Sequence, residues 1–316
     1  MKRVLVIGAT GDQGHPLLER LVAEGLTPVA AVRSQKAFSS TRFADVEKAL
    51  CDITDAASLV EATKSVDAIV AHLPFVFDKA LARSFGANIA QAAAANNLER
   101  VVFNTSCHVH TADIGSEGHD GRRAIEEEIM GAGVPYTIFE PKVFMDNITR
   151  SWCKPGIALQ NTFAYPAGPT LKINWTSLGD VAAYMVAALL KPEVASGCYP
   201  IGGPESLTGF EVAERLSNVA GCTITFESLT PDQFASAMSL LVTGKAEVEP
   251  LSIYDRMAEM YRWYNAQDTS PLMLDAQAPA ALFGVTLTSL EEWAKTQDWN
   301  DPTDPALATR MAGAGQ

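Results

Sequence analysis

Three groups of residues in this 316-residue chain have the types and spacing to do chemistry. The first is Gly8-Ala9-Thr10-Gly11-Asp12-Gln13-Gly14, placed between the apolar run Arg3 to Ile7 and a segment with one apolar face. Glycine is needed at three points of such a turn: to fold it tightly, to let backbone approach a pyrophosphate, and to let helix and strand pack closely. The helix that follows aims unpaired amides and the positive end of its dipole at the anion. Gly8, Thr10, Gly11, Asp12, Gln13 and Gly14 are therefore candidate dinucleotide-binding residues. Strand before and helix after separate this motif from a bare βα turn.

The second group follows the second apolar run, Pro28 to Val32. A site for NAD places an acid there to bind the ribose 2′-hydroxyl, whereas arginine accommodates a 2′-phosphate. Here the chain reads Arg33-Ser34-Gln35-Lys36, with no acid before Asp45. Arg33 can lie on the adenine and fork a phosphate, with Lys36 adding charge, so NADP(H) is expected over NAD(H). Asp52 closes the third strand, where it either meets the adenine amino group or caps the next helix. The third group is His108, His110 and His119, three of the five histidines, in a polar stretch ending at Gly121. Histidine is the natural proton donor near neutral pH.

These groups need a scaffold, and the pattern supplies one. Strands alternate with helices through residue 140: Arg3 to Ile7, a helix from Gly14 to Glu24, Pro28 to Val32, a strand ending near Asp52, a helix from about Asp55, VDAIVAHLP, a helix from Leu81 to Asn96, RVVFNTS, a helix that Asp120 can cap, and PYTIFEP. That rhythm calls for an α/β fold with a doubly wound parallel sheet, a Rossmann fold, with a smaller C-terminal α/β substrate portion. The expected organisation is a dinucleotide-binding domain over 1–150, a substrate or lid portion over 151–300 interleaved with it, and a mobile tail over 301–316. In the second portion strands are expected near 171–174, 197–201 and 223–226, and helices near 178–190, 210–220, 232–241 and 253–264. Trp152, Phe163, Trp175, Met257, Tyr261 and Trp263 offer aromatic and apolar surface there, for a lid or for a core.

Composition excludes several classes. A net charge of -13 and the lack of any basic run argue against nucleic acid and anionic membrane as partners. No stretch approaches the roughly 18 apolar residues of a membrane span. The apolar run at the N-terminus stops at Gly8, too short for a secretory signal, so a cytoplasmic location is expected. Five widely spaced cysteines without a CxxC pair suggest neither a disulfide framework nor a metal site.

GATGDQG, Arg33, CDITDAASL, HLP and GVPYTIFEPKVFMDN occur in this order, followed by SLGDVAAYMVAALLKPE and YPIGGPESLTGFEVAERLS. In that ordered set the chain resembles the NmrA-like family, atypical members of the short-chain dehydrogenase/reductase superfamily, over roughly residues 1–235. The resemblance implies a Rossmann fold and NADP(H) binding. It also implies one of two fates: reduction of quinones, dyes or other small conjugated molecules, or redox sensing through a protein partner. It carries Leu73, Pro74 and Phe75 over as ribose and nicotinamide contacts, and Pro141, Val143 and Phe144 as residues backing the nicotinamide and facing substrate. Asn147 matches a recurring structural asparagine.

Two departures bear on catalysis. None of the seven tyrosines has lysine four residues on, so the superfamily's Tyr-x-x-x-Lys pair is missing. Catalytic relatives often open the helix after strand five with K-x-x-(V/I)-E, and here that stretch is Arg122-Arg123-Ala124-Ile125-Glu126. Arginine cannot exchange protons as a tuned lysine does, yet it can fork to a developing oxyanion. Arg122 is thus either an electrostatic catalyst or a surface arginine paired with Glu126 at i,i+4. Ser106 sits where the superfamily keeps its serine, either to orient a carbonyl or to cap a backbone amide. Cys107 is read as a buried, inert thiol. The candidate catalytic set is Ser106, His108, His119 and Arg122, with no metal. The expected function is NADPH-dependent reduction of a small conjugated, carbonyl or quinone-type substrate by a monomer or homodimer. The alternative is a non-catalytic NADP(H) sensor acting through a regulatory protein partner, and a sugar-nucleotide epimerase is disfavoured by the absent tyrosine.

Overall fold

A strand buried on both faces must be apolar along its whole length, and the chain begins with one. In the computed structural model, which describes residues 2–35 and 43–306, β1 (Arg3–Ile7) runs through the centre of a seven-stranded sheet. Lys36 and residues 307–316 lie outside the described residues. Along the chain follow α1 (Gly14–Ala23), β2 (Thr27–Val32), β3 (Glu47–Leu50), α2 (Ala56–Ala62), β4 (Ala68–His72), α3 (Lys79–Ala95), β5 (Arg100–Asn104), α4 (Glu117–Met130) and β6 (Tyr136–Pro141). Beyond them lie β7 (Val143–Phe144), α5 (Lys154–Gln160), β8 (Thr162–Tyr165), β9 (Ile173–Thr176), α6 (Leu178–Leu190), β10 (Gly197–Ile201), β11 (Ser206–Leu207), α7 (Gly209–Ala220), β12 (Thr225–Ser228), α8 (Pro231–Thr243), α9 (Ile253–Asn265), α10 (Gln277–Phe283) and α11 (Leu290–Ala294).

The sheet order is β10-β6-β5-β4-β1-β2-β3 with every pair parallel, the doubly wound arrangement expected from the alternating pattern. One face packs on α1, α6 and α10 through Leu17, Leu21, Tyr184, Met185 and Phe283. The other packs on α2, α3 and α4 through Leu59, Phe85, Ile89, Ile125 and Ile129. The strand order reverses between β1 and β4, and a doubly wound sheet opens its ligand crevice at the carboxyl ends there. The loop after β1 and the segment after β4 flank that crevice.

The segment past residue 150 does not form a separate body. α6 packs across α1, and β10 extends the main sheet by pairing Gly197–Ile201 with 137–141. The rest builds a second core from Phe163, Tyr165, Trp175, Leu216, Tyr264 and Trp293 around two small sheets, β11-β9-β7 and β12-β8. Strands expected at 171–174 and 223–226 fall two residues later, and α5, β8, α10 and α11 were not anticipated. α11 does carry a readable start: Ser289 and Glu292 form a reciprocal capping box.

Two local expectations are corrected. Asp120 does not cap α4. The N-cap is Ser116, while the Asp120 carboxylate, one turn inside, accepts from the amides of Ile114 and Gly115 and closes the preceding loop. The expected tail at 301–316 is docked as far as it is described. Asp304 is 4% exposed, accepts from the Ser151 amide and hydroxyl at 3.0 Å each, and pairs with Arg150 at 3.3 Å.

Candidate functional site

The glycine loop is shaped by contacts that a side chain would violate. Gly8 has φ +85°, and a Cβ there would lie 2.5 Å from the His72 carbonyl oxygen at the end of β4. A Cβ on Gly14 would lie 2.3 Å from the Ala9 carbonyl, so α1 can start this close to β1 only with glycine. The loop closes on itself as the amides of Gly11 and Gly14 donate to the carbonyls of Gly8 and Gly11. The fit to a pyrophosphate is thus steric as well as electrostatic. Asp12 would repel such an anion, but Arg150 stands 3.1 Å from its carboxylate and offsets the charge. Gln13 turns its side chain away from the loop. Its amide accepts from Asn104 at 2.7 Å and donates to the Ser106 hydroxyl at 3.1 Å, clamping the loop to the end of β5.

Arg33 lies just past β2, exposed at the crevice edge. Asp52 does not cap α2, because the capping side chain is that of Asp55, which accepts from the Ala57 amide. Asp52 instead accepts from the amide and hydroxyl of Thr54, and these bonds, with a smaller contribution from Arg33, hold its carboxyl below the usual range. It stays an exposed carboxylate near Arg33, open to an adenine amino group.

The other wall runs from β4 to α4. Leu73 is buried, Pro74 exposed and Phe75 half-buried. Arg122 is not a surface residue and does not pair with Glu126. It is 2% exposed, donates from Nη2 to the Leu73 carbonyl at 3.0 Å, and lies 4.6 Å above the Phe75 ring. Its Nη1 is buried with no hydrogen-bond partner among the described residues. Burial lowers its pKa, and the charge survives because guanidinium is so strong a base. A buried donor left unmatched is costly unless a ligand completes it.

Ser106 occupies the left-handed region, φ +64°, which serine adopts rarely. The turn is held by its own amide donating to Asn104 Oδ1 at 2.8 Å. Its hydroxyl contacts Gln13 rather than capping a backbone amide. Cys107 is buried and pushed up to about 12 by desolvation, so it is the inert thiol expected.

The three histidines do converge, with ring centroids 4.6 Å apart for His108 and His110 and 4.8 Å for His110 and His119. They are not equivalent. His119 is 1% exposed, on α4, with Nε2 bonded to the Tyr264 hydroxyl at 2.6 Å and Nδ1 near Ser116. Both its nitrogens are engaged, so it joins α4 to α9 and is poorly placed to donate a proton. His110 lies under Trp263, centroids 4.0 Å apart, and its Nε2 has no partner among the described residues. Desolvation pushes His110 down to about 4 and His119 to about 3, and holds His108 lower still with help from Lys142. All three are neutral at pH 7.

The segment after β6 corrects another expectation. Val143, in β7, pairs with Trp175 of β9 and is buried in the second core, so its side chain does not face a substrate as expected, while Phe144 packs against the main core and stays half-buried. Pro141 is buried at the end of β6. Between them Lys142, which the sequence reading passed over, is 6% exposed with Nζ 2.9 Å from His108 Nδ1. Burial lowers it to about 8. His72, Asn104, Arg150 and Tyr264 also escaped the sequence reading, because each acts through a partner 64 or more residues distant. Behind Lys142, carboxylate and thiol atoms of Glu126, Glu140 and Cys198 lie within 4.8 Å of one another. Burial, with Glu140 second, raises Glu126 to about 9, so it keeps its proton at neutral pH. Of the lid candidates, Phe163 and Trp175 are core, and Trp263 packs on His110 of the histidine cluster.

Fold and site together define an α/β protein with a dinucleotide-type glycine loop at the switch point of a parallel sheet. The model of the NmrA-like family matches residues 1–294, and the chain belongs to that family. It is 29% identical over 262 residues to an NAD(P)H azoreductase of Xenophilus azovorans, covering 82% of this chain and 86% of that one. It is 30% identical to a (4-alkanoyl-5-oxo-2,5-dihydrofuran-3-yl)methyl phosphate reductase of Streptomyces griseus, covering 74% and 80%. Among solved structures, an NADPH-dependent quinone oxidoreductase from Escherichia coli, complexed with NADPH, superposes with a TM-score of 0.74 at 21% identity, covering 92% of this chain and 98% of that one. No helix among the described residues is long and apolar enough to cross a membrane.

Proposed function

We propose that this protein is an NADPH-dependent oxidoreductase that reduces a small conjugated, carbonyl or quinone-type acceptor. The observation that carries the reading is the buried, half-satisfied guanidinium of Arg122 beside a complete glycine loop. The loop amides from Gly8 to Gly14 hold the pyrophosphate, Arg33 reads the 2′-phosphate, and Leu73 to Phe75 flank the ribose and nicotinamide. When bound, NADPH supplies the hydride. Arg122 Nη1 then meets the negative charge that develops on the acceptor, in a wall already dry and fixed by the Leu73 carbonyl and the Phe75 ring. The names of the relatives at 29% and 30% identity support a reductase reading. The test is fluorescence titration with NADPH and NADH in parallel, followed by turnover against quinones, azo dyes and aldehydes. Tight NADPH binding with turnover of one class is expected. Binding without oxidation across the panel overturns the enzyme reading and leaves the sensor, which then requires a partner whose capture changes with NADPH.

A further inference from the structure

Reduction of a quinone or azo group needs a proton as well as a hydride, and the usual donors are missing. Arg122 cannot release one, and His119 is tied at both nitrogens. Resting on the reductase reading above, we propose that His108 gives the proton to the acceptor and that Lys142 replaces it from behind.

The geometry orders the pair. Lys142 follows β6, its backbone amide held to the Ile201 carbonyl of β10 at 3.1 Å, and its side chain is buried. An ammonium has no lone pair, so across 2.9 Å it is Nζ that donates and His108 Nδ1 that accepts. This places the hydrogen of neutral His108 on Nε2. His108 is only half-buried, so part of its ring stays open, and it stands two residues from Ser106, whose hydroxyl bonds Gln13 of the glycine loop.

The step balances. The acceptor, having gained a hydride, carries a negative oxygen or nitrogen. That atom takes the Nε2 proton of His108, while a proton of Lys142 Nζ moves to Nδ1. His108 ends as its other neutral tautomer and Lys142 as an amine. Solvent then reprotonates Nε2, and the Nδ1 proton returns to Lys142. No imidazolium forms at rest, which suits a ring whose protonation burial opposes so strongly. The groups around Lys142 are Glu140 on β6, which favours its charge, Cys107, and the neutral His108 and His110 from the loop after β5, with Glu126 of α4 behind Glu140. Burial outweighs Glu140 and brings the ammonium to about 8, near working pH, where a general acid is most effective.

Two acceptors separate proton delivery from hydride transfer. A neutral naphthoquinone needs the proton. A triarylmethane dye cation takes hydride at its central carbon and becomes neutral without one. In Lys142→Met the ratio of naphthoquinone to dye kcat is expected to fall by at least about tenfold, the lower edge of general-acid effects. Lys142→Arg keeps charge and donor but cannot give up a proton, so it is expected to lower the ratio as well. The wild-type naphthoquinone kcat should decline as pH rises past about 8, with no matching decline for the dye. A readout independent of turnover is 15N NMR of histidine-labelled wild type at pH 7, expected to show His108 protonated on Nε2. An unmoved ratio in both variants, or His108 protonated on Nδ1, overturns the relay while dye reduction keeps the reductase reading alive. Wild type that oxidises NADPH with neither acceptor overturns both.

Discussion

Replacing Arg122 by Met separates catalysis from stability, because the two effects should differ in size. In the folded protein the guanidinium has one hydrogen bond, to Leu73, one ring contact, to Phe75, and no carboxylate partner within salt-bridge reach among the described residues. A charge-assisted bond contributes about 1.5–3 kcal/mol, and a desolvated cation–π contact about 2 kcal/mol. Against these stands a desolvation cost of several kcal/mol for a buried ion, which Met does not incur. The terms nearly cancel, so stability should move by no more than about 1 kcal/mol, or roughly 1–2 °C in Tm for a chain of this size. Catalysis has no such cancellation. Removing one preorganised donor from a developing anion costs about 2.7–4 kcal/mol, or roughly 100- to 1,000-fold in kcat. The assay is steady-state NADPH oxidation against the best acceptor, with a thermal melt of the same sample. A Tm lowered by more than about 8 °C with kcat little changed would refute the reasoning and make Arg122 a structural strut.

Other expectations follow from the same geometry. Arg33→Ala should weaken NADPH by about 10- to 100-fold, the range for losing a charge-assisted phosphate contact, and leave NADH within about threefold; equal loss of both cofactors in the titration would remove the 2′-phosphate assignment. Glu126, held protonated up to about 9 against an ordinary 4.5, contributes stability that is full below pH 4.5 and lost as pH rises toward 9. Glu126→Gln should therefore flatten the fall in urea midpoint across that window, and an unchanged slope would refute the burial argument. Asp304→Ala removes a buried carboxylate from Ser151 and Arg150, and should cost about 3 kcal/mol in urea denaturation. A loss under about 1 kcal/mol would mean that the docked C-terminal segment matters little to the fold.

The glycine loop was legible in the sequence because its requirements are local: a turn with positive φ at Gly8 and a helix start at Gly14 lie within seven residues of each other. Arg33 was legible for the same reason, since strand two leads directly to it. The alternation of strand and helix through residue 140 fixed the sheet, as apolar runs covered on both faces admit few other arrangements. The second core was less legible. Its strands of two to four residues, such as β8 and β11, carry too little periodicity to stand out.

The sequence alone thus determined the glycine turn between β1 and α1 and the place of Arg33 after β2, on which the proposed cofactor site rests. Tertiary structure decided everything that depends on meeting across the chain. It buried Arg122 against β4 instead of pairing it with Glu126, spent His119 on Tyr264, and turned Val143 into a core residue. It also set Lys142 against His108, 34 residues earlier. A side chain's protonation and its direction come from neighbours that the fold supplies, and spacing along the chain does not encode them.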